Sequence, residues 1–432
     1  MSASPDTASL IGRANRDGAR LFREWFARLS ADAEAGRRAA YVFVMGSMNE
    51  ILKAFDFEVV FPEINSLQAA VRKVAHEYLG TAEAAGYSPD ICGYVKADVA
   101  VQMDRGRHPM GRIPKPALAV LTNACNTYIK WAEIWSRMHG MPVVTIDVPG
   151  TRAAHEVGCA PARDFAADRR YVAAQLQELI ATCETVSGRR FDIERLRETL
   201  VHANDMTRAW RALLELNRSR PAVFNALTDG TVFLGVANGL RGTAAGANYF
   251  AEALEEFRLK AAQGIGTLGE EDYRLAFVGV PCYPIFRRFN EMFAERRGVF
   301  VHSTYLQFAS GGAHLDFEYE LGDPIASLAE GVLLGVRAAM DSMFYQDRAL
   351  EALLDDYALD AIIYHPIKSC RTVSTGLADG RAALAQRRDV ASLFIESDMM
   401  DRRVVSEAQM KNRIDAFFEG LASRRQRDAA RA

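Results

Sequence analysis

Apolar positions in the first stretch of the chain return about once per helical turn. Leu10, Ala14, Leu21, Trp25 and Leu29 share one face, which predicts a helix over 5–37. The pattern then changes to short β-branched and apolar runs: YVFVM (41–45), EVVFPEI (58–64), ALAVLT (117–122) and PVVTIDV (142–148), with helix-like stretches between them. Short apolar strands alternating with helices mark a parallel sheet wrapped by helices. From 164 to about 263 the period is again helical: Phe165, Val172, Leu176, Leu179, Ile180 and Cys183 form one stripe, and Leu196, Leu200, Met206, Trp210 and Leu213 form the next. Strand-like runs return at 273–281, 298–303, 359–365 and 390–397, and a helix over 406–421 closes the pattern.

The expected class is α/β, with two open, mostly parallel-sheet units of flavodoxin/Rossmann-like type. The divisions read as an N-terminal helical segment (1–38), a first α/β domain (39–150), a helical bridge (151–265) and a second α/β domain (266–432). Sheets of this kind bind ligands beyond the carboxyl ends of their strands. GIGTLG (264–269) matches G-x-G-x-x-G, but a helix precedes it and a strand follows. That order is the reverse of a dinucleotide fingerprint, so Gly264 reads as a helix C-cap.

A length of 432 residues argues for more than one core. A formal net charge of -3 argues against a nucleic-acid surface. The basic tail SRRQRDAARA reads as a solvated, frayed terminus. No apolar run is long enough to span a membrane, and the first residues lack a signal-peptide pattern, so the expected location is the cytoplasm. A reducing compartment makes disulfides among the six cysteines unexpected.

Context sorts those cysteines. Cys183 lies on an apolar helix stripe and reads as core. Cys159 has His155 four residues away, a spacing open to a metal on a helix, although Pro161 and the polar composition favour a loop. Cys282 follows a strand and suits either a loop site or packing. Cys125, in TNACNTY, and Cys370, in YHPIKSCRTVSTG, each follow a strand, one in each α/β unit. Cys92, in SPDICGYVKAD, opens a helix running to about 104. Helix N-termini, together with Lys96, Lys368 and Arg371, are expected to favour thiolate over thiol. Cys92, Cys125 and Cys370 stand 33 and 245 residues apart and form no compact C-x-x-C signature. Three ligands are too few for a closed structural zinc site and suit an iron–sulfur cluster with one iron left open.

The segments GSMNEILKAFDFEVVFPEINSLQAA, SPDICGYVKADVA, LTNACNTYIKWAEIW, YHPIKSCRTVSTGL and FIESDMMDRR together resemble the benzoyl-CoA reductase / 2-hydroxyacyl-CoA dehydratase family. Within it they are most similar to the B-type subunit of ATP-dependent (class I) reductases. The likeness runs from about residue 40 onward. It implies a [4Fe–4S] cluster on Cys92, Cys125 and Cys370, a homologous second catalytic subunit, and an ATP-hydrolysing iron–sulfur activator. It further implies an acyl-CoA substrate whose ring is reduced to a cyclohexadiene-carboxyl-CoA. The chain has no Walker-type loop, in keeping with ATP being handled elsewhere.

Proton delivery needs a titratable or hydroxyl group near the substrate. Ser47 and Glu50 follow one strand and Glu63 ends the next, while His365 and Lys368 flank Cys370. Ser47 and Glu50 also suit a capping box for the helix MNEILKAF. Glu396 and Asp398 read as loop structure. The aromatics of YIKWAEIW and the methionines of ESDMMD suit either core or dry pocket walls. Three alternatives stay open: a 2-hydroxyacyl-CoA dehydratase component, a non-catalytic electron-relay subunit carrying a cluster, and a cluster-free α/β protein with buried cysteines.

Overall fold

A computed structural model describes residues 11–150, 162–308, 315–344 and 346–431. His155 and Cys159 lie outside them. The first helix, Arg13–Glu34, drives Trp25, Phe26 and Leu29 into the core. Trp25 is 1% exposed and meets Phe61 edge-on. Burying such a ring contributes roughly 4 kcal/mol of transfer free energy, from about 150 Å² at about 25 cal/mol per Å².

Two four-stranded parallel sheets follow. The first uses β1 (Ala39–Val42), β2 (Val59–Val60), β5 (Pro116–Thr122) and β6 (Val143–Ile146), in the order β2-β1-β5-β6. Between β2 and β5 lies a two-stranded antiparallel ribbon, β3 (Arg107–His108) with β4 (Gly111–Arg112). The second sheet uses β7 (Tyr273–Val278), β8 (Gly298–Ser303), β9 (Ala361–Tyr364) and β10 (Ala391–Phe394), in the order β10-β9-β7-β8. In the first sheet the order reverses beside β1, between β1 and β5, and in the second beside β7, between β7 and β9. Each sheet therefore has its crevice at that point. β1, β8 and β9 are buried along their whole length, as parallel strands covered on both faces are.

Helices Ala162–Ser187, Ile193–Leu216, Thr228–Gly239 and Ala244–Ala262 separate the sheets in sequence. The last ends where Gly264, at φ +66°, donates to Ala261 O while Ile265 N–H donates to Lys260 O. That is a Schellman cap, so the glycine stops a helix and does not cradle a phosphate. The closing helix runs from Glu407 to Arg431, longer than its apolar pattern indicates. The basic tail is therefore helical and not frayed: Arg424 pairs with Asp389 and Arg425 with Asp360.

Two local expectations are corrected. The run 58–64 is strand only at Val59 and Val60, because Pro62 opens the helix Pro62–Val71. The helix Asn49–Ala54 is not capped by Ser47. Its N-cap is Met48, and Glu50 pairs with Arg241 Nε at 2.6 Å and accepts a bond from Tyr319 at 3.2 Å. Glu50 is thus a buried tie between distant segments, not half of a capping box.

Candidate functional site: a crevice where three thiols meet

Cys125 and Cys370 occupy similar places in the two sheets. Each follows a strand beside its sheet's crevice, β5 or β9, and is the N-cap of the next helix: Asn126–His139 for Cys125, Arg371–Ser374 for Cys370. Cys92 is the N-cap of Gly93–Met103, in the crossover from β2 to β5. A cysteine at each cap leaves the first helical amides facing sulfur. The amides of Tyr94 and Val95 favour the Cys92 anion, and those of Thr372 and Val373 favour that of Cys370, although none reaches capping geometry.

Close contacts bring the three loops together. Cys125 Sγ lies 3.7 Å from Thr372 Oγ1, two residues beyond Cys370. A methyl group added at Gly93, beside Cys92, would lie 2.7 Å from Met400 Cβ and 3.4 Å from Ser369 Oγ. Asp398, fully buried, fastens that corner: it accepts from Ser369 N–H and from Met400 N–H, both at 2.8 Å. Arg403 completes the seam by pairing with Glu83 at 2.7 Å.

Electrostatics reflects the proximity of the sulfurs and corrects one expectation. Burial first, then the neighbouring Cys370 and Cys125, push the Cys92 thiol well above its ordinary value. Burial pushes Cys370 up to about 12, with Cys125 adding to it. Nearby cations do not counter this. Lys96 is committed to Glu83 at 2.9 Å and Pro89 O at 2.8 Å, and Lys368 is exposed and paired with Glu396 at 3.3 Å. A cationic core among the sulfurs would reverse the balance, since a coordinating thiol is deprotonated outright. Among the described residues no three His, Cys, Asp or Glu side chains close tightly enough to hold a single metal ion. Ser369 Oγ, buried at the same corner, has no hydrogen-bond partner. Cys183 and Cys282, by contrast, are fully buried, while Cys92, Cys125 and Cys370 keep partial exposure.

Glu63 sits in the first turn of Pro62–Val71, beyond the carboxyl end of β1. Its Oε2 accepts from Val44 N–H at 2.8 Å and its Oε1 accepts from Tyr128 OH at 2.6 Å. Burial nevertheless raises its carboxyl to about 7 against those two bonds. Tyr128 stacks on Phe43 at 3.8 Å and stands within the fields of both Glu63 and Cys125. Three further buried tyrosines gather here. Tyr94 and Tyr305 feel Glu63, Tyr305 also feels Cys370, and Tyr283 adjoins both tyrosines. None of these tyrosines stands out in the sequence, although Tyr128 lies one helical turn after Cys125.

Ser47 is buried in the bend after β1, without a capping bond. His365 is fully buried between Val280 O, which accepts from Nδ1–H at 2.6 Å, and Ser397 OH, which donates to Nε2 at 2.5 Å. Burial lowers it to about 4, so it is a neutral clamp on the Cys370 loop and has no free nitrogen for a substrate. The aromatics of YIKWAEIW are core: Trp131 and Trp135 both donate to Asp98 Oδ2, at 2.7 and 2.6 Å. Of the methionines in ESDMMD, Met400 faces a groove.

Together these features define an α/β protein with a thiol-bearing crevice between two parallel sheets. The chain belongs to the family described as 2-hydroxyglutaryl-CoA dehydratase, D-component, whose model matches residues 46–421. It is 31% identical over 410 residues to the B-type subunit of benzoyl-CoA reductase from Thauera aromatica, covering 92% of each chain. It is 26% identical to the (R)-2-hydroxyisocaproyl-CoA dehydratase alpha subunit of Clostridioides difficile, covering 87% of this chain and 88% of that one. The (R)-phenyllactyl-CoA dehydratase alpha subunit of Clostridium sporogenes is likewise 26% identical, with the same coverage. These relatives are named as subunits of multi-subunit enzymes acting on acyl-CoA compounds. No helix among the described residues is long and apolar enough to cross a membrane.

Proposed function

We propose that this chain is the cluster-bearing subunit of an ATP-dependent, low-potential benzoyl-CoA reductase, with Cys92, Cys125 and Cys370 holding a [4Fe–4S] cluster. The observation that carries the reading is the gathering of three thiols at helix N-cap positions, two from one sheet's loops and one from the other's. Cysteine thiolates are the donors that normally hold such clusters, so the three thiols would fit one. Held by Cys92, Cys125 and Cys370, such a cluster would supply single electrons received from an ATP-hydrolysing activator.

The chain's own residues handle protons and water. Ring reduction takes up two electrons and two protons to give cyclohexa-1,5-diene-1-carboxyl-CoA. Glu63, raised to about 7 and bonded to Tyr128, can hold a proton near neutrality beside the crevice. Tyr94 and Tyr305 offer hydroxyl donors for charge developing on a thioester oxygen. Buried Met399 and Met400, with Val44 and Ile64, keep the region dry. Asp398 and His365 hold the Cys370 loop in place. Ser47 and Lys368 remain candidates for contact with substrate from the bend after β1 and the exposed rim.

The test is anaerobic iron and sulfide analysis with electron paramagnetic resonance, followed by activator-driven turnover. Roughly four irons per chain and reduction of benzoyl-CoA support the reading. Turnover of a 2-hydroxyacyl-CoA alone would favour the dehydratase reading, which the relatives at 26% identity keep in play. An intact cluster whose spectrum ignores any acyl-CoA would mark an electron relay.

A further inference from the structure

An aromatic column leads away from the crevice beside the first sheet. The helix Asn126–His139 sets Tyr128, Trp131 and Trp135 on one face, and Phe43, just beyond β1, lies against all three. Phe43 stacks on Tyr128 at 3.8 Å between ring centroids and stands 5.3 Å from both Trp131 and Trp135. The two indoles are 5.5 Å apart, and Trp135 meets Tyr41 at 5.0 Å. Tyr128 opens the column at the crevice, where its hydroxyl bonds Glu63 and its ring lies in the field of Cys125. Packing alone accounts for such a column. It does not account for Asp98.

Asp98 is a buried carboxylate with no cation beside it. Its Oδ2 accepts from both indoles and its Oδ1 accepts from Gln102 at 3.0 Å, and among the described residues it has no ion pair. A neutral amide in its place would avoid the cost of burying an unpaired charge. What the charge supplies is a negative field on two indoles and a proton acceptor in contact with each. Burial raises this carboxyl, which makes it the stronger base. The other two of the four tryptophans are the contrast, since all four are 1% exposed or less. Trp25 Nε1 and Trp210 Nε1 have no hydrogen-bond partner among the described residues.

In a dry interior the field of the anion is strong at that range. Losing an electron puts positive charge on an indole, which Asp98 stabilises while it takes the N–H proton. Gaining an electron is opposed by the same carboxylate, and these rings lack the conjugated thioester that eases reduction of an aromatic acyl-CoA. The column therefore passes oxidising equivalents outward and does not leak low-potential electrons. Resting on the function proposed above for the source of the oxidant, we infer that Tyr128, Phe43, Trp131 and Trp135 drain one-electron oxidants from the crevice onto an indole beside Asp98, sparing the thiolates. The oxidant is a hydroxyl radical, formed with hydroxide when reduced iron gives one electron to peroxide. It takes an electron from Tyr128 and leaves as hydroxide, while the phenol's proton moves to the ionised Glu63. Trp131 returns an electron to Tyr128 across Phe43, Glu63 returns the proton, and the indole proton passes to Asp98 Oδ2. The net change is one hydroxyl radical reduced to hydroxide, one neutral tryptophanyl radical formed and one Asp98 protonated.

The experiment has two arms. In the first, the reduced, cluster-bearing complex meets hydrogen peroxide, and oxidised side chains are mapped by peptide mass spectrometry. In the second, a ruthenium photo-oxidant is tethered to the crevice thiols of the full chain freed of iron, and the tryptophanyl radical is followed by flash absorption. Both arms compare wild type, Asp98→Asn, Trp131→Phe/Trp135→Phe, and the control Trp210→Phe. Expected is about tenfold or more oxidation at Trp131 and Trp135 over Trp25 and Trp210, since an anion at hydrogen-bond distance favours a developing positive charge by at least that factor. Asp98→Asn should abolish that preference and the neutral radical, and the double variant should shift oxidation to Tyr128 and the cysteines. Trp210→Phe should change neither. Equal oxidation of all four indoles overturns the inference, as does cysteine oxidation that the double variant leaves unchanged. Should a variant fail to fold, the comparison among the four indoles of the wild type still decides. Iron analysis separates the two readings: an iron-free wild type sinks the reductase, while the photo-oxidant arm still decides on the column.

Discussion

Tyr128 and Glu63 join the two ends of the first crevice: the phenol of the helix capped by Cys125 donates at 2.6 Å to a carboxyl standing beyond β1. This bond links the cysteine's own helix to a group that titrates near neutrality.

Glu63→Gln tests that group by two measurements. The wild-type carboxyl moves from an ordinary 4.5 to about 7 on folding. The folded state therefore keeps a proton that the unfolded state loses, and the stability from this site declines as pH rises from 4.5 to about 7. The decline, read as the difference between wild type and variant in urea titrations, should be on the order of 3 kcal/mol. Turnover of the variant should fall by roughly 10²-fold or more if Glu63 carries the proton. A variant with wild-type kcat would remove Glu63 from the chemistry.

Cysteine replacements should divide into two groups. Cys92→Ser, Cys125→Ser and Cys370→Ser each lower bound iron and abolish turnover. Cys183→Ala leaves iron intact and costs about 1 kcal/mol in lost packing. A Cys125→Ser enzyme with full iron and activity would disprove the ligand assignment.

His365 predicts the opposite pH response to Glu63. Burial lowers it from 6.5 to about 4, so the unfolded chain binds a proton that the folded clamp refuses. Its contribution to stability is complete above pH 6.5 and is lost as pH falls toward 4. Ser397→Ala leaves Nε2 buried without its donor and should cost about 1–3 kcal/mol at neutral pH, checked by chemical denaturation.

Asp98 holds two indoles and Gln102 through one buried carboxylate. Asp98→Ala orphans Trp131 and Trp135 together and should destabilise by about 3 kcal/mol or more. The loss should appear in thermal unfolding and as a change in tryptophan fluorescence. Gly93→Ala drives a methyl into Met400 and should cost about 1–3 kcal/mol. Impaired iron retention should accompany it, measured by iron release during anaerobic dialysis.

Strands buried on both faces write themselves plainly in sequence, and β5, β7 and β8 fall within a few residues of their apolar runs. β2 is shorter than its run because Phe61 and Ile64 continue the apolar pattern around Pro62, where the backbone has already turned helical. Cys125 and Cys370 are legible from their places after strands. The tyrosines are not, since their partners come from segments far apart along the chain. Glu50 shows the same limit: capping spacing is local, whereas its partners Arg241 and Tyr319 are set by tertiary packing. Lys96 misleads for a related reason, because a neighbour in sequence aims its ammonium at Glu83 and away from the sulfur.

The similar placement of the loops after β5 and β9 has a consequence for biogenesis. Under the proposed assignment, two ligands leave the ribosome early and the third emerges 245 residues later. The first half alone offers only two of the three proposed ligands, so metal insertion must await a nearly finished chain whose second sheet has already docked. Truncated or stalled translation products would then be metal-free, however well their first sheet is built.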